Sequence, residues 1–186
     1  MEDITTLSPK KYKLIFSDLH LGKGRTLPDG AHNNLEEFYY AEKLVEFLHY
    51  YSSGDYRNAE VELIINGDFL NFLQADYKGH NLTVITESIS VSIFRAIIEG
   101  HPQVFKALRE FASFPSNSIT YVVGNHDQAM LWPATRALFN EVVGVSIKFK
   151  NLVYFFDGFH VEHGHMHEAA NRLDPRKFFL KKDLPE

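Results

Sequence analysis

Residues 14–22 read LIFSDLHLG. Leu14, Ile15 and Phe16 form an apolar run bounded by polar residues, the pattern of a buried strand. Asp18 and His20 then stand one residue apart, where a loop should begin. A carboxylate and an imidazole at such a place serve either as turn caps or as the first two ligands of a metal site. The choice depends on whether other strands end in the same way.

They do. VELIIN, residues 61–66, reads as a second strand and runs into Gly67 and Asp68. ITYVVGN, residues 119–125, reads as a third and delivers Asn125, His126 and Asp127 behind Gly124. FHVEH, residues 159–163, delivers His163 in front of Gly164. Four strands with polar ends are common. Four that each end in metal-ligand types, three of them beside a glycine, are not. Glycine at these points lets the backbone turn sharply or approach a site closely.

Helical patterns fill the intervals. Residues 33–51 place Leu35, Phe38, Ala41, Val45 and Leu48 at helical spacing behind Asn33 or Asn34 as cap. Residues 83–100 read as a helix ending at Gly100. Residues 102–113 form another with Pro102 in its first turn, and 133–143 a short one behind Pro133. Residues 146–150 and 152–156 add strands, and Asp157-Gly158 joins the latter to 159–163 as a hairpin. The alternation predicts a single α/β domain over residues 1–186, a layered sheet flanked by helices. In such folds polar residues at the carboxyl ends of strands gather on one edge, where ligands bind.

Composition narrows the chemistry. The 186-residue chain is 45% hydrophobic and 23% charged, with a net charge of −5. No global basic field draws it to nucleic acid. Cysteine is absent and histidine numbers ten, so a metal must be held by imidazole, carboxylate or amide oxygen. The N-terminus is polar and lacks the apolar core of a signal peptide, and no apolar run is long enough to cross a bilayer. The expectation is a soluble cytoplasmic protein.

The strand-end residues suit two divalent ions. Asp68 could bridge both, with Asp18 and His20 completing one side and Asn125 and His163 the other. Mixed carboxylate, imidazole and amide donors suit Mn, Fe, Zn or Ni better than Ca or Mg. Two ions roughly 4 Å apart can clamp a phosphate and lower the pKa of a bridging water. His126 could give a proton or hydrogen bond to the leaving oxygen, and Asp127 could fix its tautomer.

SDLHLG, NGDFL, GNHD and EHGH together resemble the successive motifs of the calcineurin-like metallophosphoesterases, over about residues 12–171. The resemblance implies an α/β/β/α sandwich and a dinuclear centre with Mn as the expected metal. It implies Asp18, His20, Asp68, Asn125 and His163 as ligands and His126 as the catalytic histidine. The activity it implies is hydrolysis of a phosphoester or pyrophosphate bond by a metal-bridging hydroxide. SDLHLG and GDFLNF differ from the GDxHG and GDxVDRG motifs of the Ser/Thr protein phosphatases. SDLHLG is similar to the bacterial UDP-2,3-diacylglucosamine hydrolases and to double-strand-break repair nucleases, and NGDFLNFLQ leans toward the former. The expected partner is a small phosphorylated substrate such as a nucleotide conjugate. A nuclease of the same fold, and a metal-binding interaction module without chemistry, are the alternatives.

The pattern departs from the family at its end. The family carries a later GHxH motif, whereas here GHMH, residues 164–167, is fused onto His163. In one reading His165 and His167 are the terminal ligands, reached by a compressed turn. In the other, which the preceding strand pair favours, EHGH is the penultimate motif. The chain is then truncated relative to its relatives, or a shortened natural variant, and one ion lacks a histidine. Among basic residues, Arg25 and Lys23 follow the first motif and could meet substrate phosphate. Residues 70–83, with Tyr77, Lys78 and His80, form either a lid or a plain surface loop. Arg176, Lys177, Lys181 and Lys182 with Phe178, Phe179 and Leu180 form a basic amphipathic stretch, read as a helix missing its partner or as a membrane-facing surface.

Overall fold

The computed structural model describes residues 8–80, 84–172 and 183–185. The core is a four-stranded parallel sheet in the order β1-β2-β4-β5, formed by Lys11–Phe16, Glu60–Asn66, Asn117–Val122 and Lys148–Lys150. The central strand β2 is buried from Val61 through Ile65, both faces being covered, with Glu62 the one charged residue in an otherwise apolar run.

Side chains alternate across the sheet. Leu14, Val61, Leu63, Ile65, Ile119 and Tyr121 point to one face and pack on the helices α1 (Ala41–Tyr50), α2 (Glu87–Gly100), α3 (Pro102–Ala112) and α4 (Pro133–Val143). Ile64 and Val122 point to the other face and meet Tyr154 and Val161. Those two belong to an antiparallel hairpin of β6 (Val153–Phe156) and β7 (Phe159–Glu162). The α/β architecture expected from the alternation is therefore present, with helices on one face and a hairpin on the other. Asp157 and Gly158 turn the hairpin with φ of 45° and 82°.

Two helix starts differ from the periodicity. The first helix begins at Ala41, eight or so residues later than the pattern of Leu35 and Phe38 suggests. Asn33 does not cap it. Its Oδ1 accepts the Leu35 N–H at 3.1 Å and its Nδ2 donates to the Gly24 carbonyl at 2.9 Å. Glu36 is buried and accepts the N–H of Gly22, Gly24 and Phe38 at 3.2, 2.6 and 3.0 Å. These side-chain bonds to backbone compete with a helix and win. The second helix starts at Glu87, because the β-branched run before it forms a short strand, β3 (Val84–Thr86), against β8 (Asp183–Pro185). Thr86 then caps the helix through its hydroxyl to the Ile89 N–H at 3.3 Å. The basic stretch from Arg176 to Lys182 lies outside the described residues. Among the described residues, no helix is long and apolar enough to cross a membrane.

Parallel register sets the height of the strand ends. Phe16 lies opposite Ile65, and Asn66 opposite Val122, so β1, β2 and β4 release their chains at one edge. The ladder continues into the loops, where Asp18 N–H donates to the Gly67 carbonyl at 3.2 Å and His20 N–H to the Asp68 carbonyl at 2.9 Å.

Candidate metal centre

Asp18, His20 and Asp68 are not glycine, yet all three hold left-handed backbone, with φ of 58°, 53° and 51°. Aspartate tolerates this region better than most residues, and each such residue still costs on the order of 1 kcal/mol. The turns aim the three side chains at one another across the ends of β1 and β2. Two glycines keep the space open. At Gly67, with φ of 80°, an added Cβ would lie 2.5 Å from Cγ of His163. At Gly124 it would strike the Asp68 carboxylate. These close approaches are what the sequence predicted for glycines at the strand ends.

Two clusters result. His20, Asp68 and His126 place donor atoms all within 4.8 Å of one another, and Asp18, Asp68 and His163 do the same. Asp68 belongs to both. Its Oδ1 accepts the His126 backbone N–H at 2.9 Å, and its Oδ2 lies 3.1 Å from His163 Nε2 and 3.8 Å from His20 Nε2. Burial pushes its carboxyl upward, but His163 and the His126 N–H outweigh burial and hold it below the ordinary value.

His163 arrives on the hairpin. Asn66 Nδ2 donates to the Glu162 carbonyl, and His163 Nδ1 donates to the Asn66 carbonyl, both at 3.0 Å. A carbonyl can only accept, so Nδ1 carries the proton and Nε2 faces Asp68. Burial lowers the His163 pKa, yet the Asp68 carboxylate raises it to about 9. The hairpin is itself docked by Glu62, a buried carboxylate on β2. Lys13 and Thr120 bond to it, and Tyr154 Oη donates to its Oε1 at 3.0 Å.

His126 stands edge-on to His20 with ring centroids 4.5 Å apart. Its Nδ1 lies 3.1 Å from Oδ1 of Asn71. Burial holds its pKa below the ordinary histidine value, with Asp68 pulling the other way. The orienting role expected of Asp127 is not what the geometry provides. Asp127 is fully buried, and its carboxylate accepts the Tyr121 hydroxyl at 2.5 Å and the N–H of Gly124 and Phe69 at 2.6 and 3.2 Å. Burial raises its pKa to about 7 against those donors. It ties the loops after β2 and β4 together, and Asn71 takes the contact to His126. Asn125 is half-buried in the same turn, its carbonyl accepting from Gln128 Nε2 at 3.0 Å.

The remaining predicted residues divide. His165 is buried, its ring centroid 5.5 Å from that of His163, and neither of its ring nitrogens has a hydrogen-bond partner. It joins neither donor cluster. His167 is exposed and turned away, with Nε2 2.6 Å from Glu162 Oε1. Arg25 is not drawn into the clusters, because its guanidinium lies over the Tyr39 ring at 4.7 Å and donates to the Tyr39 carbonyl at 2.5 Å. Lys23 pairs with Asp76. Within the loop read as a lid or surface turn, Tyr77 and His80 exchange backbone bonds of 2.9 and 3.0 Å.

The residues fit a divalent cation. Two carboxylates and three imidazoles converge, with the ligand atoms of each cluster within 4.8 Å of one another, a mixed oxygen and nitrogen donor set that suits such an ion. Carboxylates this close repel unless a cation lies between them. Sequence reasoning missed Asn71, Glu37, Asn66 and Tyr121. Asn66 and Asn71 had a signal, standing two residues before and three after Asp68 inside the quoted NGDFLNFLQ; Glu37 and Tyr121 had none.

No curated protein matches the chain. The family model for calcineurin-like phosphoesterases matches residues 13–184, nearly the full length. With its paired donor clusters at the sheet edge, the chain belongs to the calcineurin-like phosphoesterase family.

Proposed function

We propose that this member of the family hydrolyses a small phosphorylated substrate at a two-ion centre. The observation that carries the reading is the sharing of Asp68 between two donor clusters, one with His20 and one with Asp18 and His163. Asn125 completes the proposed set. Imidazole mixed with oxygen donors favours Mn, with Fe, Zn or Ni as substitutes. Bound ions would neutralise charge on the phosphate and acidify water held between them. The chain's own residues do the rest. His126, in its charged form, gives a proton from Nε2 to the leaving oxygen. Asn71 accepts at Nδ1 in either charge state, so the ring keeps its aim as the proton leaves. The wording of SDLHLG and NGDFLNFLQ supports a pyrophosphate-linked nucleotide conjugate as the substrate class, as in the UDP-2,3-diacylglucosamine hydrolases.

The test is hydrolysis of bis-p-nitrophenyl phosphate with added Mn, by the wild type, His126→Ala and Asp68→Ala. A wild-type rate that falls about 100-fold or more in His126→Ala and vanishes in Asp68→Ala is expected. Wild-type inactivity with Mn, Fe, Zn and Ni would overturn the reading in favour of a non-catalytic module. Cleavage of DNA with neglect of small diesters would redirect it to a nuclease.

A further inference from the structure

Glu37 lies outside every motif in the sequence, on a segment whose helical pattern makes it look solvated. Its carboxylate nevertheless turns toward the centre. Oε2 stands 4.0 Å from Nδ1 of His20, and that nitrogen is buried with no hydrogen-bond partner. Two amides hold the carboxylate in place, Asn71 Nδ2 at 3.3 Å and Gln74 Nε2 at 3.4 Å. We infer that Glu37 is a positioning residue that sets the tautomers of two site histidines at once, His20 directly and His126 through Asn71.

The argument is one of donors and acceptors. An ionised carboxylate only accepts. Asn71 must therefore present its NH₂ to Glu37, which turns its Oδ1 toward His126. That oxygen also accepts the Gln74 N–H at 3.2 Å, which fixes the amide a second time. An amide oxygen cannot donate, so His126 Nδ1 carries the hydrogen and Nε2 is left for the reacting atoms. At His20 the gap of 4.0 Å is too long for a hydrogen bond. It is the gap between an unpartnered buried nitrogen and the nearby acceptor, and a small rotation of the half-exposed Glu37 closes it. With Nδ1–H directed to Glu37, His20 turns Nε2 toward Asp18 and Asp68, at 4.0 and 3.8 Å. Histidine ligands generally hold their second nitrogen against such a partner. His163 uses the Asn66 carbonyl, and His20 lacks an equivalent unless Glu37 supplies it.

The inference rests on the reading of His20 as a ligand, and its test separates the two. Histidine-selective ¹⁵N labelling and two-bond proton–nitrogen correlation spectra give tautomers in the metal-free protein at about pH 8, where an ordinary histidine is neutral. In the wild type both His20 and His126 are expected as the Nδ1–H form. Glu37→Leu is expected to mix the tautomers of both rings and to weaken Mn or Zn binding about 10- to 100-fold, the range typical of lost orienting partners. Glu37→Gln retains an oxygen acceptor and should recover most of the affinity. A folded Glu37→Leu with wild-type tautomers and wild-type metal affinity would overturn the inference, as would an Nε2–H form of either ring in the wild type. A wild type that binds no divalent ion would sink the two-ion reading alone, because the metal-free spectra would still decide the role of Glu37.

Discussion

The Tyr121 hydroxyl donates to Oδ2 of Asp127 at 2.5 Å, in a place closed to water beneath the turn that carries Asn125 and His126. The same carboxylate receives backbone N–H groups from the loops after β2 and β4. Asp127→Ala would leave a buried hydroxyl and two N–H groups without an acceptor. A loss of about 3 kcal/mol or more is expected. Tyr121→Phe removes one donor and should cost about 1 kcal/mol. Urea midpoints at unchanged slope would check both. Equal, small effects would show that the carboxylate does not hold the loops.

Gly124→Ala acts on the site more than on the fold. The new methyl group would press on the Asp68 carboxylate and on the Asp68 backbone nitrogen, 2.6 Å away. The expected result is a folded protein whose Mn affinity falls by about tenfold or more, since outer adjustments alone reach that size. Calorimetric titration with Mn measures it. Wild-type affinity in this variant would mean that Asp68 can shift without leaving its ligand position.

Glu36 supplies a pH dependence. Burial pushes its carboxyl up, but His101, 3.3 Å away, and the N–H groups of Phe38 and Gly22 hold it below the ordinary glutamate value of 4.5. A depressed carboxyl favours the folded state above 4.5, and that contribution drains away as pH falls through the lower folded value. Glu36→Gln should therefore destabilise the protein at pH 7 and flatten its loss of stability between about pH 5 and pH 3. Thermal melts of both proteins across that range provide the comparison.

Tyr154→Phe tests the seat of the hairpin. It removes the hydroxyl that donates to Glu62 and leaves Lys13 and Thr120 to satisfy that carboxylate. Global stability should fall by about 1 kcal/mol. Amide exchange in residues 153–163 should quicken more than in β2, and metal binding should weaken through His163. Uniform acceleration along the chain would instead place the hairpin within the main cooperative unit.

What the sequence disclosed depended on how local the cause was. Strand ends are local, so Asp18, His20, Asp68 and His163 were legible as apolar runs that stop at ligand types, and the structure gathers those four. The α/β alternation was legible for the same reason. The first helix misled because Leu35 and Phe38 keep helical spacing while Glu36 is pulled inward by backbone groups of a distant loop. Nothing within the segment announces that pull. Asp127 follows His126 directly in the chain, but the partner of an imidazole is set in three dimensions. Tyr121 claimed Asp127, and Asn71 was left to face the ring.

The parallel register of β1, β2 and β4 has a kinetic consequence. Each neighbour in that sheet is reached only after a long excursion through loops and helices, so the pairings join residues far apart in the chain and closing them is slow. The donors contributed by opposite ends of the polypeptide cannot meet until the hairpin has settled on the finished sheet. The cluster that needs His163 would therefore be completed late in maturation, whereas His20, Asp68 and His126 all follow strands of the main sheet and could meet before the hairpin docks.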